Sequence, residues 1–215
     1  GRDAPVPTQA VLLYLHGNAG NIAHRYDQVH LLMFLGVAVF IVDYRGYGRS
    51  EGKPSERGIY RDARAAWNWL TAERGIAPDR IILLGKSLGG AVAIDLAADD
   101  ACGPAGLIAE STYTSAADMA RRVMPFIPAC LIRTKMDSLA KISRVSCPKL
   151  FVHSPDDEVV PFALGCRLYD AAPEPKQFYQ VDGAGHNDTA HIGGKPYMRQ
   201  LQTFITDAVA GATSG

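Results

Sequence analysis

Ser87 stands in Gly85-Lys86-Ser87-Leu88-Gly89-Gly90, directly after the apolar run Ile81-Ile82-Leu83-Leu84 and directly before Ala91-Val92-Ala93-Ile94-Asp95-Leu96. A serine on a sharp strand-to-helix turn is presented at the end of a sheet, and so strained a turn tolerates only small neighbours, which Gly85 and Gly89 supply. Its hydroxyl is a nucleophile only with a base in hydrogen-bond reach and a third group to orient that base. The candidate base is His186, in the small-residue loop Asp182-Gly183-Ala184-Gly185-His186-Asn187-Asp188 that follows a late strand pattern. The orienting carboxylate is expected in Asp156-Asp157-Glu158. Spacing alone does not separate Asp156 from Asp157; Asp157 is chosen on the expectation that tandem carboxylates divide into one turned inward and one solvated. Asp182 is a third candidate, while Asp188 lies too close along the chain to orient His186. Acyl transfer at Ser87 also needs donors for a developing oxyanion. These are expected from the backbone amides of Leu88 and of Asn18, or its neighbour Ala19, in Leu15-His16-Gly17-Asn18-Ala19-Gly20.

The remaining histidines fit the base role poorly. His24 and His30 fall in a helical pattern, His153 ends a strand, His191 lies downstream in the same final loop, and His16 reads as packing or anchoring its own loop.

The elements that must position these groups alternate along the chain, short β-branched or leucine-rich runs with longer amphipathic stretches, which predicts an α/β class with a mostly parallel sheet. Strands are expected at Ala10–Leu15, Val37–Tyr44, Arg80–Leu84, Gly106–Ala109, Lys149–His153 and Gln177–Val181, as near-continuous apolar runs. Helices are expected at Ile22–Leu35, Ser55–Arg74, Leu88–Ala98, Pro161–Ala171 and Lys195–Ala210. Ile59, Ala63, Ala66, Trp67 and Leu70 fall at helical spacing, and both Trp67 and Trp69 read as packing residues. The stretch Thr112–Ser146 breaks the alternation with Pro125 and Pro128 and short helical pieces at Ser115–Met124 and Leu131–Lys135. An excursion of that length between two strands is read as a short lid over the site.

The 215 residues predict one domain, 1–215, with apolar content ample for a core. Lys plus Arg and Asp plus Glu both total 22, so no basic excess exists to hold nucleic acid or an anionic membrane by charge. No apolar run reaches the length of a membrane span, and the first residues lack the apolar stretch of a signal peptide. Cys102, Cys130, Cys147 and Cys166 form no C-x-x-C pair, which argues against a zinc or redox site and for a reducing, cytoplasmic setting. A Walker motif and a G-x-G-x-x-G after a strand are both absent, which sets nucleotide binding aside.

In combination, His16-Gly17-Asn18-Ala19-Gly20, Asp43-Tyr44-Arg45-Gly46-Tyr47-Gly48-Arg49-Ser50-Glu51-Gly52, Gly85-Lys86-Ser87-Leu88-Gly89-Gly90, and Asp156 to Pro161 with Gly183 to Asp188 resemble the α/β-hydrolase fold serine hydrolases. The likeness is strongest to the branch holding the abhydrolase-domain 13 and 17 proteins, esterases and protein depalmitoylases. It implies an α/β-hydrolase fold with helices on both faces of the sheet. It also matches Ser87 to the nucleophile, Asp157 to the acid and His186 to the base of an enzyme that cleaves carboxylic esters or thioesters, of small molecules or acylated proteins, with no metal or organic cofactor. The Asp43–Gly52 loop matches a structural loop whose Arg45 and Arg49 are expected to form salt bridges inside it. Two departures stand out: only nine residues precede Ala10, where the family sheet usually has earlier strands, and Lys86 replaces a commoner arginine. A peptidase or amidase of the prolyl-oligopeptidase type and a catalytically silent binding protein are the competing readings.

Overall fold

The computed structural model describes residues 10–123 and 134–212. Six parallel strands form one sheet: β1 (Val11–Leu15), β2 (Ala38–Ile41), β3 (Ile81–Lys86), β4 (Gly106–Glu110), β5 (Lys149–His153) and β6 (Lys176–Gln180), in the order β2-β1-β3-β4-β5-β6. The four central strands are buried along their whole length, as the apolar runs predict for a parallel sheet covered on both faces. The edge strands β2 and β6 are only partly buried, contrary to the expectation of continuous burial, each having a neighbouring strand on one side alone.

Side chains alternate between the faces. Leu13, Leu15, Leu83, Leu107 and Ala109 pack on one core with α2 (Glu56–Asn68), α3 (Leu88–Ala97) and α6 (Phe162–Ala171). Leu12, Tyr14, Leu84, Ile108 and Val152 pack on the other with α1 (Tyr26–Met33) and α7 (Thr189–Ala212). Between β4 and β5 lie α4 (Ala116–Val123) and a single turn, α5 (Leu139–Ile142), which the sequence pattern did not predict. Of the expected lid 112–146, residues 124–133 lie outside the described residues, as does most of the expected helix Leu131–Lys135; Thr134 and Lys135 are not helical. Cys130 falls outside as well, and Cys102, Cys147 and Cys166 are free thiols.

Helix ends depart from the sequence pattern for local reasons. The expected Ile22–Leu35 helix opens as a 3-10 turn, Ile22–Arg25, capped by the Asn21 side chain. Ser55 caps α2 by accepting from the Gly58 N–H, and the helix then relaxes into a π turn at Trp69–Glu73. Trp69, two positions after the buried Trp67, faces a different side of the helix: it is 41% exposed and stacks on Phe40. The last helix begins earlier than Lys195, at Thr189, with a break where Gly194 takes φ 48° ahead of Pro196, so His191 sits on a helical segment and not in a loop. Among the described residues no helix is long and apolar enough to cross a membrane.

The glycines around Ser87 are dictated by close approach. A Cβ on Gly89 would lie 1.8 Å from the Leu15 carbonyl oxygen, and one on Gly85 would lie 2.3 Å from the Gly89 carbonyl oxygen. These distances pin α3 against the ends of β1 and β3. Gly89→Ala is therefore expected to lower unfolding free energy by about 3 kcal/mol, the upper end of overpacking costs. Gly211→Ala, at an open helical position, should raise it by roughly 0.5 kcal/mol through reduced chain entropy. Urea unfolding of both variants checks this; equal effects would contradict the close-packing argument.

Candidate active site

Ser87 joins β3 to α3 with φ 54° and ψ −116°, a left-handed backbone that a non-glycine residue rarely adopts. Its N–H donates to the Glu110 carbonyl (2.9 Å) and its carbonyl accepts from the Gly90 N–H (2.9 Å), so the turn is fixed from the neighbouring strand and from its own helix. A Cβ on Gly17 would sit 3.5 Å from the Ser87 Cβ, which places the His16–Gly20 loop directly against the serine.

The acidic loop after β5 grips the loop after β6 at three successive carboxylates. Asp156 accepts from the Gly183 N–H (2.8 Å), Asp157 pairs with His186 Nδ1 (2.9 Å) and Glu158 accepts from the His186 N–H (2.9 Å). Asp157 is the buried member and Asp156 the exposed one, the division expected of the tandem pair. Asp182 instead accepts from the Gln180 side chain.

The Asp157 carboxylate also accepts from the N–H groups of Val159 (2.9 Å) and Val160 (2.8 Å), and His153 Nε2 lies 3.4 Å from its other oxygen. Burial opposes the charged form, yet the hydrogen bonds from His153, His186 and Val160 and the charge of His186 hold this carboxyl far below the usual range. A carboxylate can only accept, so His186 Nδ1 carries the proton and Nε2 is left as the basic nitrogen.

Ser87, Asn18 and Leu88 line one cavity of about 390 Å³, walled by Tyr47, Tyr113, Met119 and Met136 among others. Leu88 is the first residue of α3, so its N–H has no partner within the helix. Asn18 is steadied by the Tyr47 hydroxyl, which donates to its side-chain oxygen at 2.6 Å. Among the described residues the His186 side chain is bonded to Asp157, with no direct hydrogen bond to Ser87 Oγ. The two are linked through the end of β4: the Glu110 carbonyl holds Ser87, and the Glu110 carboxylate feels the charge of His186.

His16 is buried as its anchoring role requires, with Nδ1 donating to the Gly17 carbonyl (2.8 Å) and its ring 4.6 Å from Tyr44; burial pushes its pKa down. Arg45 does not bridge inside its own loop. It forms a two-pronged pair with Asp62 on α2 (2.7 and 3.0 Å), because α2 packs along the loop. Arg49 forms no ion pair among the described residues. Three residues passed over in the sequence prove structurally central: His153 behind Asp157, Glu158 on the His186 loop, and Glu56, whose carboxylate accepts from the Lys135 (2.7 Å) and Met136 (2.9 Å) N–H groups at the cavity wall. The spacing of His153 and Asp157, four residues apart across a strand end, was the available signal for the first. No described cluster of three or more His, Cys, Asp or Glu residues is arranged to hold a metal.

The serine aminopeptidase S33 family model (Hydrolase_4) matches residues 6–136. An uncharacterized protein of Mycobacterium tuberculosis is 39% identical over 93% of this chain and 71% of its own length. The α/β-hydrolase domain-containing protein 17C of Xenopus laevis is 35% identical over 91% of this chain, which spans 61% of that protein. Among solved structures, an α/β hydrolase from Vibrio vulnificus superposes with a TM-score of 0.76 at 25% identity, over 90% of this chain and 73% of that one. A Pyrococcus furiosus esterase superposes at 0.79 with 18% identity, over 94% of this chain and 84% of that one, a likeness of fold. With the sheet order, the serine turn and these matches in agreement, the chain belongs to the α/β-hydrolase family.

Proposed function

We propose that this hydrolase cleaves carboxylic esters or thioesters through an acyl intermediate on Ser87. The reading rests chiefly on the 2.9 Å bond between a buried Asp157 and His186 Nδ1, which leaves Nε2 as the base on the same sheet edge as the strained serine. In this mechanism His186 Nε2 takes the Ser87 proton as Oγ attacks the acyl carbon, and the N–H groups of Leu88 and Asn18 receive the oxyanion. His186 then passes the proton to the leaving alcohol or thiol, and activates the water that releases the acid. Asp157 holds the tautomer and the imidazolium without taking the proton. The aromatic and methionine lining of the Ser87 cavity, with Tyr113, Met119 and Met136 on its wall, suits an apolar acyl chain. The family description favours amide cleavage as a second reading, which aminoacyl p-nitroanilides set against p-nitrophenyl esters would separate.

Ser87→Ala should lower p-nitrophenyl ester turnover by at least about a thousandfold with its circular dichroism unchanged; retained turnover would sink the proposal. Asp157→Asn is expected to cost on the order of 10⁴-fold in kcat through the wrong tautomer. Asp156→Asn, which touches only a loop amide, should stay within about tenfold. Comparable losses in the two variants would contradict the assignment of the acid.

Stability should carry the same signature. A carboxyl whose folded pKa is depressed stabilises the fold fully above the unfolded value, near 4, and loses that contribution as pH falls toward the folded value. The difference in urea midpoint between wild type and Asp157→Asn should therefore shrink from about pH 5 toward pH 2. A difference independent of pH would mean that the Asp157 charge does not support the fold.

A further inference from the structure

Lys86 and Glu110 are register partners at the last positions of β3 and β4. Their side chains turn to the face occupied by α1 and α7 and pair at 2.9 Å with 8% and 1% exposure. From α7 the Tyr197 hydroxyl donates to the other Glu110 oxygen at 2.6 Å, itself wholly buried. Burying two charges costs several kcal/mol per ion, and apolar residues of similar size usually do as well or better, so stability alone does not account for this pair.

Its position does. The residue after Lys86 is Ser87, at φ 54°, and the residue after Glu110 is Ser111, at φ 47°: two left-handed non-glycine turns side by side. Such residues are strained and persist only where the surroundings over-determine them. The backbone of Glu110 contributes directly, its carbonyl accepting from the Ser87 N–H (2.9 Å) and from the Thr112 hydroxyl (3.1 Å). Burial opposes the charge on Glu110, and Lys86, Tyr197 and His186 together keep the carboxyl ionised below its ordinary range.

We propose that the buried Lys86–Glu110 pair, clamped by Tyr197, is a positioning device: it locks the ends of β3 and β4 and the helix behind the His186 loop in one register, and so holds Ser87 in its strained, presented conformation. Lys86 thereby gains a role that its replacement of a commoner arginine left open, and the device sets how often Ser87 is aligned, not how tightly substrate binds. The inference rests on the reading of Ser87 as nucleophile.

The test compares Lys86→Met, Glu110→Gln, Lys86→Arg and the double variant Lys86→Met/Glu110→Leu with wild type on a p-nitrophenyl ester, alongside thermal melts and hydrogen exchange of the Ser87 amide. Each single charge-removing variant should lose about ten- to a hundredfold in kcat, the penalty for misplacing a reacting group by up to an ångström, with KM within about twofold. Ser87 amide exchange should quicken in the same variants, and Lys86→Arg should restore both readouts. The double variant, with an apolar pair in place of the ions, should melt at or above wild type yet keep the low kcat and the fast exchange. Wild-type kcat in the folded double variant would overturn the proposal, and so would its failure to fold, since the pair would then serve stability. Turnover that survives Ser87→Ala overturns the nucleophile reading instead. The exchange readout does not depend on that reading.

Discussion

The left-handed backbone at Ser87 is the constraint around which the chain is organised. An L-residue at φ 54° is strained, and the strain is maintained by contacts from three directions. The Glu110 carbonyl takes the Ser87 N–H from the next strand, α3 begins immediately after the turn, and the His16–Gly20 loop runs so close that a Cβ on Gly17 would lie 3.5 Å from the Ser87 Cβ. Each contact requires a missing side chain somewhere: at Gly85 and Gly89 so that strand and helix can cross, and at Gly90 so that Thr112 can fit beneath, where a Cβ would lie 1.7 Å from its hydroxyl oxygen. The motif is therefore a packing solution before it is a chemical one.

A second constraint operates between the loops that follow β5 and β6. Three carboxylates in sequence each hold a different atom of the facing loop, and only the middle one is withdrawn from water. Asp157 keeps its charge there because four donors converge on it. An isolated buried carboxylate would protonate. The flanking acids position the loop, and the central one fixes the imidazole, which makes the acidic run a single device.

The sheet and its helices were legible because their signals are local and redundant: each central strand is an apolar run too short for a helix, and each long helix carries a stripe at helical spacing. The candidate site was legible where glycine punctuates the chain, at Gly17, Gly85, Gly89 and Gly185, since close approach leaves a mark in composition. Spacing does not separate Asp157 from Asp156; the choice of Asp157 rests on the expectation that tandem carboxylates divide, and the observed burial shows that division. The Lys86–Glu110–Tyr197 cluster was invisible because its members are far apart in the chain and join only through strand register. Trp69 packs as the sequence suggests, stacking on Phe40, but lies two positions from Trp67 and therefore on a different side of the helix, where it stays partly exposed.

The most direct measurement is covalent capture of the folded protein by a fluorophosphonate probe, with the modified residue located by peptide mass spectrometry. A poised serine nucleophile predicts a single adduct on Ser87 that forms in step with loss of ester turnover. An unlabelled Ser87, or an adduct elsewhere while turnover continues, would contradict the assignment of Ser87 as the group that attacks.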